Sequence, residues 1–596
     1  MRWTLLPQFR FALLWFVLAG LAHGRYVVSI TQAGSAPPSL TVVDENLNPI
    51  GSIAAPAGSR QVLLSDDGTK LIVIAENAQA PVSFIPVSGS GLGQLRTTAL
   101  SSGTPVIARL SADGNLLYVA TRNPGLIHAV QVGSEQPSGA PIPIPGDPID
   151  MELTPDGQYL IILSSPNFLT AIQTSNWQAQ QTQAIAGNFS DPRLSLSVAP
   201  FGSVFITGQN TLIEFRGLPP FDELARTSLA GGNFTHPGKL QFIPPSGTRA
   251  FAPNLVQTGQ SLGVFDFSLR GPGSPAGTFV AGAAVTSTVG NPFSTTPELV
   301  NPLIVTRDLT GVALAPAIGQ IFNLTYVVGG GVTVNDLRIG QQPVTGIVSL
   351  AASNEFPNRL YLFYVNDSGV LSRFPLSGLG NILTRQQAPG NLTWVATPSN
   401  GTPGSLYGFG GGRINVPAGS TIRYYVRLVD TANRPMKGRT VNFRPITSGL
   451  QLLQTSSVTS REGWAFVDVV APASGEFTVE ASLGNLTPVT FTSTVAPQTG
   501  GGGSGDGGSQ SGPKLVKVSG DGQLSAVGGG NKPLVVRIVD ADGKPIANKQ
   551  VVWQTTSPNV QFTSSPQTVT NEDGLAQVNL FYLGTIPLGE AFVLAT

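Results

Sequence analysis

The side chains best suited to bind a polar ligand stand directly before a recurring proline. Five prolines lie nine or ten residues ahead of a glycine, and the residues before them offer a hydroxyl, carboxylates, an imidazole and an amide. With Gln342, which precedes Pro343, the set is Thr104, Asp147, Asp191, His236, Asn301 and Gln342. These groups would form a polar binding site if the fold brings them together. Asp, Asn and Thr before proline also initiate turns, so loop structure explains the same residue types.

Outside this set, the sequence offers little catalytic chemistry. Cysteine is absent, which excludes disulfides and thiolate ligands. Beyond the N-terminal segment only His128 and His236 remain, too few for an all-histidine zinc site. There is no H-E-x-x-H or P-loop motif. We therefore expect no catalytic residues, no metal and no cofactor.

The composition indicates an all-β chain with many turns. Gly and Pro number 71 and 48 among 596 residues, and charged residues make up 11%, against roughly a quarter in ordinary domains. Lys plus Arg and Asp plus Glu are 33 each, so there is no net charge that would favour nucleic acid as a partner. A hydrophobic fraction of 41% is enough to form a core.

Residues 1–24 have the pattern of a cleaved secretory signal peptide. Arg2 and Arg10 supply the basic region, and the twelve-residue apolar run FALLWFVLAGLA starts at Phe11. This run is shorter than the ~20 residues that span a bilayer. Cleavage before Arg25 would give a mature chain without a membrane span, and we expect a secreted or cell-surface protein.

One hairpin recurs along the N-terminal two thirds of the chain. LLSDDGTKLIVIAEN starts at Leu63, RLSADGNLLYVATRN at Arg109 and ELTPDGQYLIILSSPN at Glu152, and four degraded copies follow. The first five turn glycines are 46, 43, 45 and 45 residues apart, namely Gly68, Gly114, Gly157, Gly202 and Gly247. Four short strands in about 45 residues is the repeat of a β-propeller blade.

The PDG turn followed by an apolar LYVA-type strand resembles the YVTN/lactonase-like propellers of secreted bacterial proteins. The resemblance covers residues 25–389. Seven hairpins favour seven blades, with eight as the alternative if RYVVSITQ from Arg25 is the second strand of an incomplete blade. In a closed ring, the residues before the inner-strand prolines would surround one mouth of the central channel, the face that commonly carries ligands in that family.

Two further modules follow at residues 390–497 and 514–596. YVRLVDTANRPMKGRTVNF from Tyr425 matches VVRIVDADGKPIANKQVVW from Val535 at an offset of 110 residues, and an E/D-G turn follows in both. Trp464, Phe466 and Asp468 show the alternation of a half-buried strand. These segments resemble bacterial Ig-like group 1 domains of the invasin and intimin type, which form β-sandwich stalks on bacterial surfaces.

The second module reaches Thr596 before any counterpart of the strand PVTFTSTV, so we expect its last strand to be missing, as in a truncated fragment. Residues 498–513, rich in Gly and Ser, are predicted to be a flexible linker. The whole is expected to be an all-β chain, a seven-bladed or eight-bladed propeller followed by two Ig-like sandwiches.

We expect a non-enzymatic exported protein of the adhesion type. Its propeller would present a binding face on Ig-like stalk modules, and its partner would be an extracellular or envelope polymer or protein. The alternative, which the family resemblance implies, is a lactonase-like hydrolase acting on a sugar lactone. By location, Asp147, Asp191, Arg193 and His236 are the candidates for its acid–base and arginine groups.

Overall fold

The computed structural model describes residues 24–595, except for 32–37, 188–192, 269–275, 286–302, 497–513, 520–533, 583–592 and gaps of one to four residues elsewhere. Every regular element in this described part is a β-strand, which confirms the all-β prediction. The predicted signal peptide, apart from Gly24, and the whole of the predicted linker lie outside the described residues.

The described residues up to Ala396 form eight antiparallel sheets of at least four strands, which are the blades of a propeller. The strands of blades 1 to 4 are β1 (Arg25–Thr31), β2 (Ser39–Asp44), β3 (Pro49–Ala54); β4 (Ser59–Leu64), β5 (Lys70–Ala75), β6 (Val82–Ser88), β7 (Gly91–Leu92), β8 (Arg96–Thr98); β9 (Thr104–Leu110), β10 (Leu116–Arg122), β11 (Leu126–Gln131), β12 (Gln136–Pro137), β13 (Ile142–Pro143); and β14 (Pro148–Leu153), β15 (Tyr159–Ser164), β16 (Phe168–Gln173), β17 (Gln178–Ala184).

Blades 5 to 8 follow in the same order, from the inner strand outwards. Their strands are β18 (Ser195–Val198), β19 (Val204–Gly208), β20 (Thr211–Phe215), β21 (Glu223–Ser228); β22 (Gln241–Phe242), β23 (Arg249–Pro253), β24 (Leu262–Asp266), β25 (Thr278–Ala283); β26 (Leu303–Arg307), β27 (Thr310–Ala315), β28 (Gln320–Val327), β29 (Gly331–Asp336); and, after the small hairpin β30 (Arg338–Ile339) and β31 (Gln342–Pro343), β32 (Ile347–Ala352), β33 (Tyr361–Asn366), β34 (Val370–Pro375), β35 (Leu383–Gln386).

The ring is closed by strands from its two ends. Strand β36 (Asn391–Ala396) pairs antiparallel with β1 and becomes the inner strand of blade 1. Blade 1 is therefore the incomplete blade that starts at Arg25, and the count is eight rather than seven. The closing strand also lies beyond residue 389, where the sequence placed the end of the propeller.

Each blade buries apolar side chains against both of its neighbours. In β5, for example, Leu71 and Val73 face blade 1, whereas Ile72 and Ile74 face blade 3. Eight such clusters, one for each seam between blades, run round the ring. No blade could bury both of its faces alone, so the ring is held together by these seams.

The inner strands have free edges toward the channel, and side chains of neighbouring blades cap some of them. The Gln61 side chain accepts a hydrogen bond from the Ala108 amide and donates one to its carbonyl, both at 2.9 Å. The Ser197 and Ser349 hydroxyls accept from the amides of Leu240 and Leu392 in the next blade. These bonds satisfy backbone groups that no strand pairs with.

The hairpin turns between the first and second strands adopt the predicted glycine conformation. The five turn glycines of blades 2 to 6 have φ between 66° and 92°, and in Gly68, Gly114 and Gly157 it is close to 70°. Residues with a Cβ atom rarely adopt such positive φ values. All these turns lie at one face of the ring, the turn face; the starts of the inner strands lie at the other, the open face.

The first sandwich consists of two four-stranded sheets over one core. Its strands are β37 (Pro403–Phe409), β38 (Thr421–Asp430), β39 (Thr440–Pro445), β40 (Gln451–Leu452), β41 (Ser456–Val458), β42 (Trp464–Val470), β43 (Glu476–Ser482) and β44 (Val489–Thr494). The sheets have the orders β37-β38-β42-β40 and β41-β39-β43-β44. Between them lie Tyr424, Val426, Val467 and Phe477, among others, each fully buried.

The second sandwich belongs to a separate compact unit, residues 499–596. Its described strands are β45 (Lys514–Ser519), β46 (Leu534–Val539), β47 (Gln550–Thr555), β48 (Val560–Phe562), β49 (Gln567–Val569), β50 (Leu575–Val578), β51 (Leu580–Tyr582) and β52 (Val593–Ala595). Val551, Trp553 and Val578 are in its core. Within the described residues the sheet β49-β47-β52 has three strands, where the matching sheet of the first sandwich has four.

Candidate functional site

One sheet of the first sandwich packs against the turn face of the propeller. Along β38 alternate residues point in opposite directions: Tyr424, Val426 and Leu428 enter the sandwich core, whereas Arg423 and Tyr425 contact the propeller. A solvent-exposed sheet face would carry polar residues at such positions. The outward positions of this sheet instead carry aromatic rings beside arginines, and these side chains contact the propeller. The outer face of this sheet is therefore an interface.

A buried ion pair ties the sheet to blade 4. The Arg423 guanidinium pairs with Asp156, in the turn between β14 and β15, and the Asp156 side chain is fully buried. Arg423 also forms a two-fold ion pair with Asp468 of β42 and donates to Gln158 Oε1 at 2.8 Å. Its guanidinium carbon lies 4.0 Å from the centre of the Phe466 ring. The charge of Arg423 is thus compensated from both domains.

Aromatic contacts extend the interface to blades 5 and 8. Tyr425 packs over Gly202, where a Cβ would lie 2.6 Å from the tyrosine ring. On the other side, Phe356 of blade 8 packs edge-on against Tyr407, with ring centres 5.1 Å apart. Arg427 lies 4.6 Å from the centre of the Phe356 ring. Burial lowers the pKa of Arg427 to about 10, although Glu462 acts in the opposite direction.

The position of β38 closes one mouth of the channel. Blades 4 and 8 are opposite each other in a ring of eight, and β38 reaches blade 4 through Arg423 and blade 8 through Arg427. A strand that joins opposite blades crosses the axis of the ring. The first sandwich therefore caps the channel at the turn face, and a ligand would enter at the open face.

Blades 2 and 3 complete the contact with the sandwich. Asp66 accepts from Lys437 at 2.7 Å and from Arg461 at 2.8 Å, and the Arg461 amide donates to the Ala112 carbonyl. Beside these pairs, a polar cleft of about 480 Å³ lies between the propeller and the sandwich and is lined in part by Asp113. At least five of the eight blades thus contact the sandwich.

The structure places two of the six predicted ring residues at the open face. Thr104 opens β9, and Asp147 directly precedes β14 and accepts a hydrogen bond from the Asn123 amide at 3.3 Å. Both are partly exposed. Thr104 lies opposite Arg122 in the pairing of β9 with β10, and Arg122 forms an ion pair with Glu76 of blade 2.

The other four predicted residues are not seen at an open mouth. His236 is fully buried, and its Nε2 is 2.8 Å from the Arg193 carbonyl oxygen, so it holds the chain rather than lining a site. Gln342 is paired with Ile339 in the hairpin β30–β31 and does not precede an inner strand, because Pro343 is not the start of one. Asp191 and Asn301 lie outside the described residues.

A cluster of four charged side chains lies on the inner strands of the channel and was not predicted. Arg109 of β9 forms a two-fold ion pair with Glu152 of β14, at 3.0 and 3.1 Å. Lys239, which precedes β22, donates to Asp150 at 2.7 Å and to Glu152 at 2.5 Å. We call Arg109, Asp150, Glu152 and Lys239 the channel cluster. It joins blades 3, 4 and 6 across blade 5.

The two carboxyl groups of the channel cluster have opposite pKa shifts. Burial raises the pKa of Asp150, with repulsion from Glu152 adding to the rise and Lys239 and Arg109 opposing it. Burial would also raise the pKa of Glu152, but Arg109 and Lys239 lower it to about 2. Asp150 is therefore the group of the cluster that accepts a proton most readily.

A sequence signal for this cluster existed. Arg109 and Glu152 stand five residues before their turn glycines, and Leu63, Ser197 and Phe242 occupy the same position in other copies. Opposite charges at one position of adjacent repeats predict a pair between blades. Lys239 could not be found in this way, because it stands eight residues before Gly247 in a copy with a short inner strand.

No group of histidine and acidic residues that could hold a metal ion occurs among the described residues. In the same part of the chain, no helix is long and apolar enough to cross a membrane.

Comparisons with known proteins assign no family to this chain. No family model matches the chain, and no curated protein is significantly similar in sequence. Among solved structures, similarity extends to the dihydro-heme d1 dehydrogenase NirN (13% identity, 62% of this chain and 75% of that one, TM-score 0.44). A candidate 6-phosphogluconolactonase from Bacteroides uniformis (13% identity, 52% and 95%, TM-score 0.38) and the D0–D1 domains of intimin (18% identity, 32% and 90%, TM-score 0.23) are also similar. With TM-scores this low, none of these likenesses bears on activity or ligand.

Proposed function

We propose that the protein is exported and acts as a non-enzymatic binding protein of the adhesion type, with the open face of the propeller as its binding surface. The observation that carries this proposal is the capping of the turn face by the first sandwich. That contact takes up one face of the ring and leaves the loops of the opposite face to meet a partner. Loops on a rigid sheet scaffold lose little entropy when they bind.

The chemistry of the open face favours a polar partner with few charges. Its described loops between blades 2 and 4 carry Thr104, Asp147 and Asn123, with the arginine of the Arg122–Glu76 pair close by. This is a surface of hydrogen-bonding groups with both signs of charge. We infer an extracellular or envelope polymer, or a protein, as the partner, and not a nucleic acid.

Export is inferred from the N-terminal sequence. The basic residues Arg2 and Arg10 and the apolar run from Phe11 to Ala22 have the order of a secretory signal. The absence of cysteine means that the folded protein needs no oxidising compartment, so export is argued from this segment alone.

The test is binding of the purified chain to whole cells and to isolated envelope polymer, with and without changes at the open face. We expect the double variant Arg122→Gln/Asp147→Ala to lose at least about tenfold in affinity. Arg444→Gln is the matched control, because the Arg444–Glu480 pair lies on the exposed surface of the sandwich. Binding that is equal in the double variant and the control refutes the open face as the surface.

The same preparations decide between binding and catalysis. A panel of sugar lactones incubated with the chain should show no hydrolysis above the uncatalysed rate. Turnover that disappears in Asp147→Ala would replace the binding proposal by the hydrolase alternative.

A further inference from the structure

The channel cluster is more than is needed to close the ring. The seam between blades 3 and 4, where Arg109 meets Glu152, already buries Tyr118, Met151 and Leu160 in an apolar cluster. Other inner strands are capped by neutral side chains such as Gln61. Ion pairs that leave water cost desolvation free energy, so a cluster of four charges is weak evidence for a stabilising role.

The side chains of the channel cluster are partly exposed to solvent. The side chains of Arg109, Glu152 and Lys239 are 27%, 25% and 19% exposed, and the side chain of Asp150 is 8% exposed. Blade 5, which lies between blades 4 and 6, carries Ser195 and Ser197 at the positions that Asp150 and Glu152 occupy in blade 4. These small residues leave room for the Lys239 side chain to reach across.

The net charge of the channel cluster changes when one of its carboxyl groups takes up a proton. The charged groups facing Asp150 are Glu152 on its own strand, Arg109 of the neighbouring blade and Lys239 from blade 6. With both carboxyl groups ionised, two cations meet two anions. With a proton on Asp150, two cations meet one anion, and the site has one positive charge in excess.

We propose that the channel cluster binds the carboxylate group of a small organic acid, which enters from the open face, pairs with Lys239 and Arg109, and is accompanied by one proton taken up at Asp150. The proton comes from solvent and no covalent bond is formed. The bound carboxylate replaces the anionic form of Asp150 as the second anion beside the two cations. The raised pKa of Asp150, caused first by burial and then by Glu152, makes this residue rather than Glu152 the acceptor.

This inference does not rest on the proposed macromolecular partner. The cluster lies on the inner strands, whereas Arg122 and Asp147 lie at the ends of blades 3 and 4 at the open face. Either binding activity can fail while the other remains.

The test uses isothermal titration calorimetry of the full chain with sodium glucuronate and, as a neutral probe of the same ring size, glucose. We expect glucuronate alone to bind, and to bind more tightly as the pH is lowered, because each bound anion is accompanied by a proton. Titrations in two buffers of different ionisation enthalpy should give uptake of about one proton.

Three variants make the result specific. Asp150→Asn imitates the protonated carboxyl, so binding should persist, lose its pH dependence and take up no proton. Lys239→Met should weaken binding at least about tenfold. Arg444→Gln, remote on the sandwich surface, should change nothing.

Several outcomes overturn the proposal. These are equal binding of glucose and glucuronate, absence of glucuronate binding by a chain with native thermal unfolding, and pH dependence that survives in Asp150→Asn. If Lys239→Met does not fold, the Asp150→Asn titration alone decides, because an asparagine preserves the size of the side chain and keeps one uncharged acceptor oxygen.

Discussion

Replacing Arg423 by methionine should weaken the docking of the sandwich at the channel mouth. Methionine keeps most of the aliphatic length and the contact with the Phe466 ring, but it removes the positive charge that faces Asp156 and Asp468. The change therefore tests the ion pair between domains with little loss of packing.

The magnitude follows from the burial of Asp156. Its side chain has no exposed area, and without Arg423 it would keep only neutral donors, the Thr154 hydroxyl, the Gln158 amide and, at 3.3 Å, the Tyr425 hydroxyl. Removing one partner of a buried pair costs about 3–5 kcal/mol. The three remaining donors place the expected loss near the lower end, about 3 kcal/mol.

Hydrogen–deuterium exchange of the full chain measures this loss where it occurs. Unfolding of the sandwich must break its contact with the propeller, so the docking free energy adds to the protection of the slowest amides in β38 and β42. A loss of about 3 kcal/mol lowers their protection on the order of 10²-fold. Amides of β5, in a blade whose contacts to the sandwich involve other residues, should be unchanged.

Two comparisons complete the design. In Arg423→Met/Asp156→Asn the fully buried carboxylate is gone, and the other carboxylate that loses its arginine, Asp468, is partly exposed, so much of the lost protection should return. Arg444→Gln removes an arginine from an exposed pair of the same sandwich and should have little effect. If Arg423→Met and Arg444→Gln give the same protection in β38, the buried pair does not hold the sandwich in place.

Three further predictions concern the ring and its cap. Gly202→Ala should lower the thermal midpoint more than Gly438→Ala, because both have positive φ but only Gly202 has a neighbour, Tyr425, in the way of a Cβ; equal shifts would contradict this packing. Gln61→Ala should cost about 1–3 kcal/mol in urea unfolding, since it removes the acceptor of the Ala108 N–H and one of two donors to the Ala108 carbonyl, to which Arg109 also donates; an unchanged midpoint would show that water replaces the amide. Because folding lowers the pKa of Glu152 from 4.5 to about 2, its stabilising effect is complete above about pH 4.5 and is lost as the pH falls toward 2. Glu152→Gln should remove this part of the decrease of the thermal midpoint at acidic pH. The same decrease in the variant would exclude the pKa shift.

The sequence predicted the repeating parts of the fold well, because each depends on local chemistry. The Asp-Gly turns at Gly114 and Gly157 require positive φ, and the alternating runs beside them require a buried blade. The blade count depended on a long-range pairing. Strand β36 joins β1 across more than 350 residues, and no local pattern reveals which partner closes a ring.

The candidate site was predicted less completely, for two physical reasons. A residue before proline starts an inner strand only where the repeat is regular, which holds for Thr104 and Asp147 but not for Gln342. Polarity also does not imply exposure, since His236 is buried and bonded to a backbone carbonyl. To predict the channel cluster, one would have to align the repeats and also know that Lys239 reaches Glu152 from two blades away.

The two sandwiches show why one sheet face became an interface. In the first, Trp464 and Phe466 lie beside Arg427 and Tyr425 on the face that meets the propeller. At the matching register of the second, Leu575 and Gln577 lie beside Arg537 and Val535, and Gln577 is exposed.

The core positions between them stay apolar in both sandwiches, with Ala465 and Val467 in the first matched by Ala576 and Val578 in the second. The residues that fold the sandwich and the residues that dock it thus alternate along the same strands. Docking could therefore be gained or lost by changes on one face without disturbing the fold. The alternation at Trp464, Phe466 and Asp468 predicted a half-buried strand correctly, but the aromatic side of that strand faces the propeller and the aliphatic side faces the core. Large aromatic residues on the side of the strand that faces away from the sandwich core are the signal for a partner domain.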